Sequence, residues 1–226
     1  IEFKKQMANN FGIKVHCIYN PLNILEILKK TRYGKKEKFF LSKKKSLKIV
    51  NLGRFTDQKD QITILRATNL LKDKINFKLL IMGRGIEEEN LKKYINNNNL
   101  NRFVKIKNFS NNPYSLIKQS DIFILSSKYE GLPNVLLEAL VLNKFVISSN
   151  CPTGPKEILL NGKGGLLFKI GNYKELAKKI LTHYKNQNKN KHMINYGYSN
   201  LSRYDYKKNC EKYLNLILDC KYSHIA

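Results

Sequence analysis

Residues 130–140 read EGLPNVLLEAL, which sets two carboxylates, Glu130 and Glu138, eight positions apart in an otherwise apolar stretch. Pro133 suits the first turn of a helix, where the N–H it lacks would have no partner. Gly131 just before it lets backbone approach a ligand closely. Glu130 then lies in a loop at the helix mouth. Glu138 lies inside the helix, one turn beyond Asn134 on the same face. Its neighbours Val135, Leu136, Leu137, Ala139 and Leu140 are apolar nearly all round, so the helix is mostly buried. A carboxylate there must find partners or cost on the order of several kcal/mol. A pair of sugar hydroxyls would serve; so would a nearby lysine or a backbone group.

Three other loops carry candidate chemistry. In GRFTDQK (53–59), Gly53 ends an apolar run, Arg54 follows, and Lys59 stands just before a helix from Gln61. Both cations can converge on one anion with help from the free N–H groups of the helix, or they form a solvated basic turn. In MGRG (82–85), Gly83 and Gly85 make a G-x-G without the third glycine of the dinucleotide fingerprint, and a tight turn explains it as well as ligand contact does. In NCPTGPKEILLNGKGG (150–165), Gly154-Pro155 fixes a turn and Glu157 opens a short helix. No Asp-x-Asp pair occurs in the chain. A bound diphosphate would therefore be neutralised by side-chain cations and a helix N-terminus, and no metal or other cofactor is expected.

The elements that position these loops alternate in texture. Apolar or β-branched runs at 14–19, 47–53, 76–83, 103–107, 121–126, 144–149 and 164–169 predict buried strands. Helical spacing marks 61–72, 87–97, 112–119, 133–142 and 172–184. The fold class that follows is α/β, a doubly wound, mostly parallel, Rossmann-like sheet. Residues 1–12 read as a leading helix, 202–218 as a closing helix, and the basic insert from Thr31 to Ser46 as a loop. In such sheets ligands sit beyond the carboxyl ends of the strands.

With 226 residues and 42% hydrophobic content, the chain predicts a single domain over 1–226, with a core of about 12–188 and a helical tail from 189. The start IEFKKQMANN, with no initiator Met and no apolar signal segment, reads as entry into the middle of a longer protein. Four cysteines and four histidines lie scattered without metal-ligand spacing, which argues against a zinc site or a disulfide framework and for reduced thiols in the cytoplasm. The net charge of +25 has a compositional reading, since lysine and asparagine abound throughout. A local excess stands out nevertheless. Between Lys29 and Lys48 there are ten basic residues and one acid, Glu37, a run that would attract an anionic membrane surface or RNA.

Taken in order, GRFTDQK, MGRG, SSKYEGLPNVLLEAL (126–140) and CPTGPKEIL (151–159) resemble the C-terminal, donor-binding half of a retaining family-4 glycosyltransferase of the GT-B fold, over about residues 12–185. The resemblance implies a nucleoside-diphosphate sugar as donor. Arg54 and Lys59 would hold the diphosphate, Glu130 the transferred sugar, and Glu138 the ribose hydroxyls. The loop at Asn108-Phe109-Ser110 would lie near the base. The implied donor site is thus Gly53, Arg54, Lys59, Gly83, Phe109, Glu130, Gly131, Leu132, Pro133, Asn134 and Glu138, with Glu130, Arg54 and Lys59 as the catalytic group. The CPTGPKE turn looks most like enzymes that use UDP-hexoses or UDP-N-acetylhexosamines to build surface glycans.

Two departures qualify the match. Asp60 stands where the family usually has glycine, and is expected to point away or cap the following helix. The length holds one such unit, so the acceptor-binding N-terminal domain is expected to be absent and this piece alone inactive. The implied partners are a UDP-sugar, a glycan or lipid-linked acceptor, and an anionic membrane at the cytoplasmic face, with no nucleic acid. The alternative is a basic nucleic-acid-binding or membrane-contact module without transferase activity. Against its nucleic-acid form, the sequence has no RNP-like aromatic motif and no zinc knuckle.

Overall fold

A computed structural model describes residues 2–13, 15–41, 45–188 and 190–222. Six strands, β1 (Leu47–Leu52), β2 (Phe77–Gly83), β3 (Val104–Asn108), β4 (Ile122–Leu125), β5 (Phe145–Ser149) and β6 (Leu166–Phe168), form one sheet in the order β3-β2-β1-β4-β5-β6. Every pairing is parallel, with Val50 opposite Leu80 and Phe123, and Ile124 opposite Ile147. Ten α-helices are described: α1 (Glu2–Phe11), α2 (Ile24–Lys30), α3 (Gln61–Asn69), α4 (Glu88–Asn97), α5 (Tyr114–Gln119), α6 (Asn134–Val141), α7 (Pro155–Ile158), α8 (Tyr173–Lys185), α9 (Lys191–Ser199) and α10 (Tyr206–Tyr222).

The strands are apolar on both faces because both faces are covered. Alternate residues point to opposite sides. Ile49, Leu79, Ile81, Ile122, Ile124 and Ile147 pack beneath α3, α4 and α8, through residues such as Ile64, Leu91 and Ile180. Val50, Leu80, Phe123, Leu125 and Val146 pack on the other side with Ile27, Leu116 and Leu140 of α2, α5 and α6. Leu201 and Tyr204 join that second core and are fully or almost fully buried.

The expected strand at 14–19 does not form: residues 15–19 belong to no strand, and Lys14 lies outside the described residues. Backbone N–H and C=O groups need a neighbouring strand, and the sheet's edges are β3 and β6. Instead the run lies against the segment before α10. The Tyr19 ring sits 4.8 Å from that of Tyr204, and a lone bridge joins Leu22 to Asp205. The insert 31–46 holds two 3-10 turns, Thr31–Tyr33 and Lys38–Phe40, while residues 42–44 are outside the described set. It is anchored: Phe40 is 3% exposed, and Glu37 is buried against Lys107 at 2.5 Å.

Candidate active site

A parallel sheet puts all its strand carboxyl ends on one edge. The strand order reverses between β1 and β4, so the loops after these two strands flank the crevice where ligands of such sheets bind. The loop after β1 carries Gly53, Arg54 and Lys59; the loop after β4 carries Glu130 to Pro133.

The two loops are stitched across the crevice. Lys59 Nζ lies 2.6 Å from Glu130 Oε1, and the Ser127 hydroxyl donates to the same oxygen at 2.6 Å. The Glu130 side chain is 8% exposed and that of Lys59 17%, so water screens this pair poorly. The Ser126 hydroxyl donates to the Lys59 carbonyl at 2.7 Å, and the Gln58 amide to the Tyr129 carbonyl at 2.9 Å. Behind them the buried Ser149 hydroxyl donates to the Ser127 carbonyl at 2.6 Å, and Thr153 donates to the Glu130 carbonyl. Arg54 is exposed, and no ion pair is made to its guanidinium among the described residues. Its backbone is held, because the Gln61 amide donates to its carbonyl at 2.9 Å.

Asp60, the departure from the family pattern, has φ 46° and sits at the N-cap position of α3. That left-handed conformation is one glycine adopts freely and aspartate tolerates. Its carboxylate accepts the Thr63 hydroxyl at 2.7 Å. Burial raises its pKa, and the Thr63 hydrogen bond offsets part of that rise.

Gly83 has a packing reason. A Cβ there would stand 1.9 Å from the Gly53 carbonyl oxygen and 2.8 Å from the Phe55 ring, so only glycine lets the loops after β1 and β2 touch. Gly131 is different: a Cβ there would meet no protein atom within 4 Å. The turn at 151–154 closes against it, with Gly154 at φ 83° and a would-be Cβ 2.4 Å from the Gly131 carbonyl oxygen. Pro133 stands at the N-cap of α6 rather than in its first turn, and Asn134 opens the helix with its side chain exposed.

Glu138, inside α6, finds its partner on α5. The Tyr114 hydroxyl donates to its Oε1 at 3.4 Å. Burial raises the Glu138 pKa, the Tyr114 bond opposing, and burial with the nearby carboxylate pushes the Tyr114 phenol up to about 12. Phe109 is 58% exposed beyond β3, and the Arg84 guanidinium lies 5.5 Å from its ring centroid. The structure therefore gathers Gly53, Lys59, Gly83, Glu130, Gly131, Leu132 and Pro133 around the crevice. Phe109 is met by Arg84 and Glu138 by Tyr114, neither of them a contact with the Lys59–Glu130 pair. A cleft of about 820 Å³ opens from Glu130, Gly131 and Leu132 toward Cys151, Thr153 and Lys156. Among the described residues no cluster of histidine, cysteine and carboxylate side chains could hold a metal ion.

Ser127, Thr153, Tyr114 and Arg84 belong to this arrangement and were not singled out in the sequence. Ser127 could have been, three residues before Glu130 in SSKYEG. Tyr114 could not, because its role depends on α5 packing beside α6.

A doubly wound sheet with cations and a carboxylate at its switch point defines an α/β protein with charged loops at its strand ends. The family model for "Glycosyl transferases group 1" matches residues 34–200, and the chain belongs to that family. An uncharacterized glycosyltransferase of Methanocaldococcus jannaschii is 43% identical over 117 residues, 51% of this chain and 29% of that protein. The N-acetylgalactosamine-N,N'-diacetylbacillosaminyl-diphospho-undecaprenol 4-alpha-N-acetylgalactosaminyltransferase of Campylobacter jejuni is 28% identical over 183 residues, 79% of this chain and 47% of that protein. Among solved structures, an S. aureus TarM mutant in complex with fondaparinux, alpha-GlcNAc-glycerol and UDP superposes with TM-score 0.79 at 22% identity, over 94% of this chain and 41% of that one. The fold is that of the C-terminal half of a GT-B glycosyltransferase. The chain spans less than half the length of these three proteins.

Proposed function

We propose that this chain is the donor-binding half of a retaining, family-4 hexosyl- or N-acetylhexosaminyltransferase that uses a UDP-sugar. The observation that carries the reading is the Lys59–Glu130 pair at the switch point, with exposed Arg54, which makes no ion pair among the described residues, in the same loop as Lys59. A donor diphosphate entering there meets two cations and the N-terminus of α6. It takes Lys59 from Glu130, and the carboxylate so released accepts hydroxyls of the transferred sugar. Arg54, Lys59 and Glu130 are the catalytic group in this reading. Glu138 accepts the ribose hydroxyls, and Phe109 with Arg84 lines the base end.

In the transfer, the bond from the sugar's anomeric carbon to the diphosphate oxygen breaks and a bond to an acceptor oxygen forms. The departing UDP keeps the bonding electrons, and its diphosphate oxygen takes up the proton that the acceptor hydroxyl loses. Arg54, Lys59 and the α6 N–H groups stabilise that negative charge, so no divalent metal is required. The acceptor belongs to the rest of the enzyme, and residues 1–226 alone transfer no sugar, because transfer requires closure over the donor. The Campylobacter relative is named for a lipid-diphosphate-linked acceptor and the TarM complex holds UDP, which supports a UDP donor and a glycan or lipid-linked acceptor.

Calorimetric titration with UDP, GDP, ADP and uridine, with and without Mg²⁺, tests this. Saturable binding of UDP in chelator, tighter than uridine, is expected. Absence of nucleotide binding, or a strict need for Mg²⁺, would overturn it.

A further inference from the structure

The basic insert is held firmly, yet it presents apolar side chains to solvent. Leu25 is 80% exposed and Tyr33 is 73% exposed. Helical spacing through α2 and the following 3-10 turn puts Leu25, Lys29, Arg32 and Tyr33 along one strip, and Lys29 and Arg32 are exposed. Exposed Lys35 and Lys36 extend the charge past it. The acids of this segment do not offset these cations. Glu26 is paired with Lys30 at 2.6 Å, and Glu37 is buried against Lys107. Burial pushes the Glu37 pKa up, but the bonds from Lys107 and the Phe39 N–H outweigh it and hold the carboxyl below its ordinary value.

The strip is a fixed surface. The Gln119 amide donates to the Lys35 carbonyl at 3.1 Å, and its oxygen accepts the Glu37 N–H at 2.8 Å. The backbone at Gly34 lies so close to α5 that a Cβ would overlap Ser115 at 1.8 Å. Lys43 and Lys44, which complete the basic run, lie outside the described residues.

We propose that this strip docks on an anionic phospholipid bilayer, with Leu25 and Tyr33 entering the interface and Lys29, Arg32, Lys35 and Lys36 engaging lipid phosphates. Cations alone would suit RNA equally; the two apolar side chains among them favour a surface with an apolar interior. This does not depend on the donor site.

Co-sedimentation with phosphatidylglycerol/phosphatidylcholine vesicles, against pure phosphatidylcholine, tests it. Binding should require the anionic lipid and weaken steeply from low to physiological salt, because exposed charges are screened within about 8–10 Å. Replacing Lys35 and Lys36 by Gln should lower partitioning about fivefold for each charge removed. Leu25→Ser with Tyr33→Ser should lower it at unchanged net charge, and both variants should keep the wild-type melting temperature because all four positions are exposed. Equal binding to neutral vesicles would overturn the proposal. So would undiminished binding by the Leu25/Tyr33 double variant, which would leave charge alone as the cause and point to a polyanion such as single-stranded RNA.

Discussion

Lys59 and Glu130 meet at 2.6 Å across the point where the strand order reverses, and they share a single carboxylate oxygen, Oε1, with the Ser127 hydroxyl. Each loop thus holds the charge that neutralises the other. The first consequence concerns which cation is available to a ligand. Arg54 is exposed and makes no ion pair among the described residues, whereas Lys59 must leave a partner whose side chain is buried.

Arg54→Ala should therefore leave stability within about 0.5 kcal/mol of wild type, as for an exposed residue. It should weaken UDP binding about tenfold or more, through loss of a charge-assisted contact worth roughly 1.5–3 kcal/mol. Uridine binding should not change. Chemical denaturation and titration calorimetry on the same preparation separate the two effects; an equal loss for uridine would show that Arg54 does not read the diphosphate.

Lys59→Met should lower stability, because it leaves a carboxylate that is 8% exposed with Ser127 as its one side-chain donor among the described residues. The loss should be about 1–3 kcal/mol, below that of a fully buried pair. Adding Glu130→Gln should restore part of it, and the double-mutant cycle measures the coupling. Additive single effects would mean that the pair contributes nothing to folding.

Ser127→Ala should spare UDP and affect the sugar. Ser127 touches Glu130, not the cations, so UDP affinity should hold while discrimination among UDP-sugars falls. Ser127→Thr, which keeps the hydroxyl, should restore discrimination. If UDP and UDP-sugars weaken alike, Ser127 supports the loop as a whole and does not orient the carboxylate.

Glu138→Gln should weaken UDP while sparing 2′,3′-dideoxy-UDP, which has no ribose hydroxyls to lose. Its effect on stability depends on pH. Burial raises the folded carboxyl above its unfolded value. The stability this adds is full in acid and is lost as pH rises through the folded pKa. The Gln variant should thus gain on wild type as pH rises above about 4.5, the ordinary glutamate range. Urea midpoints across pH 4–8 report this directly, and a constant difference would contradict it.

His183 supplies a second pH dependence of opposite sense. It is 4% exposed, its ring stacks 3.9 Å from that of Phe145, and burial lowers its pKa to about 4. The unfolded state binds the proton first as pH falls, so stability is full above about 6.5 and drains away toward 4, by about 3 kcal/mol in all. His183→Gln should flatten that slope in denaturation curves between pH 7 and pH 4.5.

Legibility in the sequence followed chain separation. Runs such as LKIVNL and FKLLIMG, apolar on both faces, announced parallel strands, and the spacing in NVLLEALV announced a buried helix with a carboxylate inside it. The Glu130 and Lys59 loops were legible as charged groups at strand ends. Their direct pairing was not, because it joins residues 71 positions apart and depends on sheet order. Residues 15–19 misled for a related reason: an apolar, β-branched run records the need for burial, not which surface supplies it. Here Tyr204 supplies it in place of a strand. Phe40 was hidden by the charge around it, since the ten basic residues of that run say solvent while the Phe40 ring is buried.

The strand order also dictates when the site comes into being as the chain leaves the ribosome. β1, β2 and β3 are consecutive in the chain and can pair as soon as they emerge, so Arg54 and Lys59 take their places early. The other flank of β1 waits for β4, and its closing contacts, Lys48 N–H to Asp121 and the Asn51 amide to the Ile124 carbonyl, each span 73 residues. Until then β1 is a bare apolar edge, the kind that pairs with neighbouring chains. Vectorial synthesis thus exposes this half-sheet to pairing with other chains for the same interval in which Lys59 has no carboxylate opposite it.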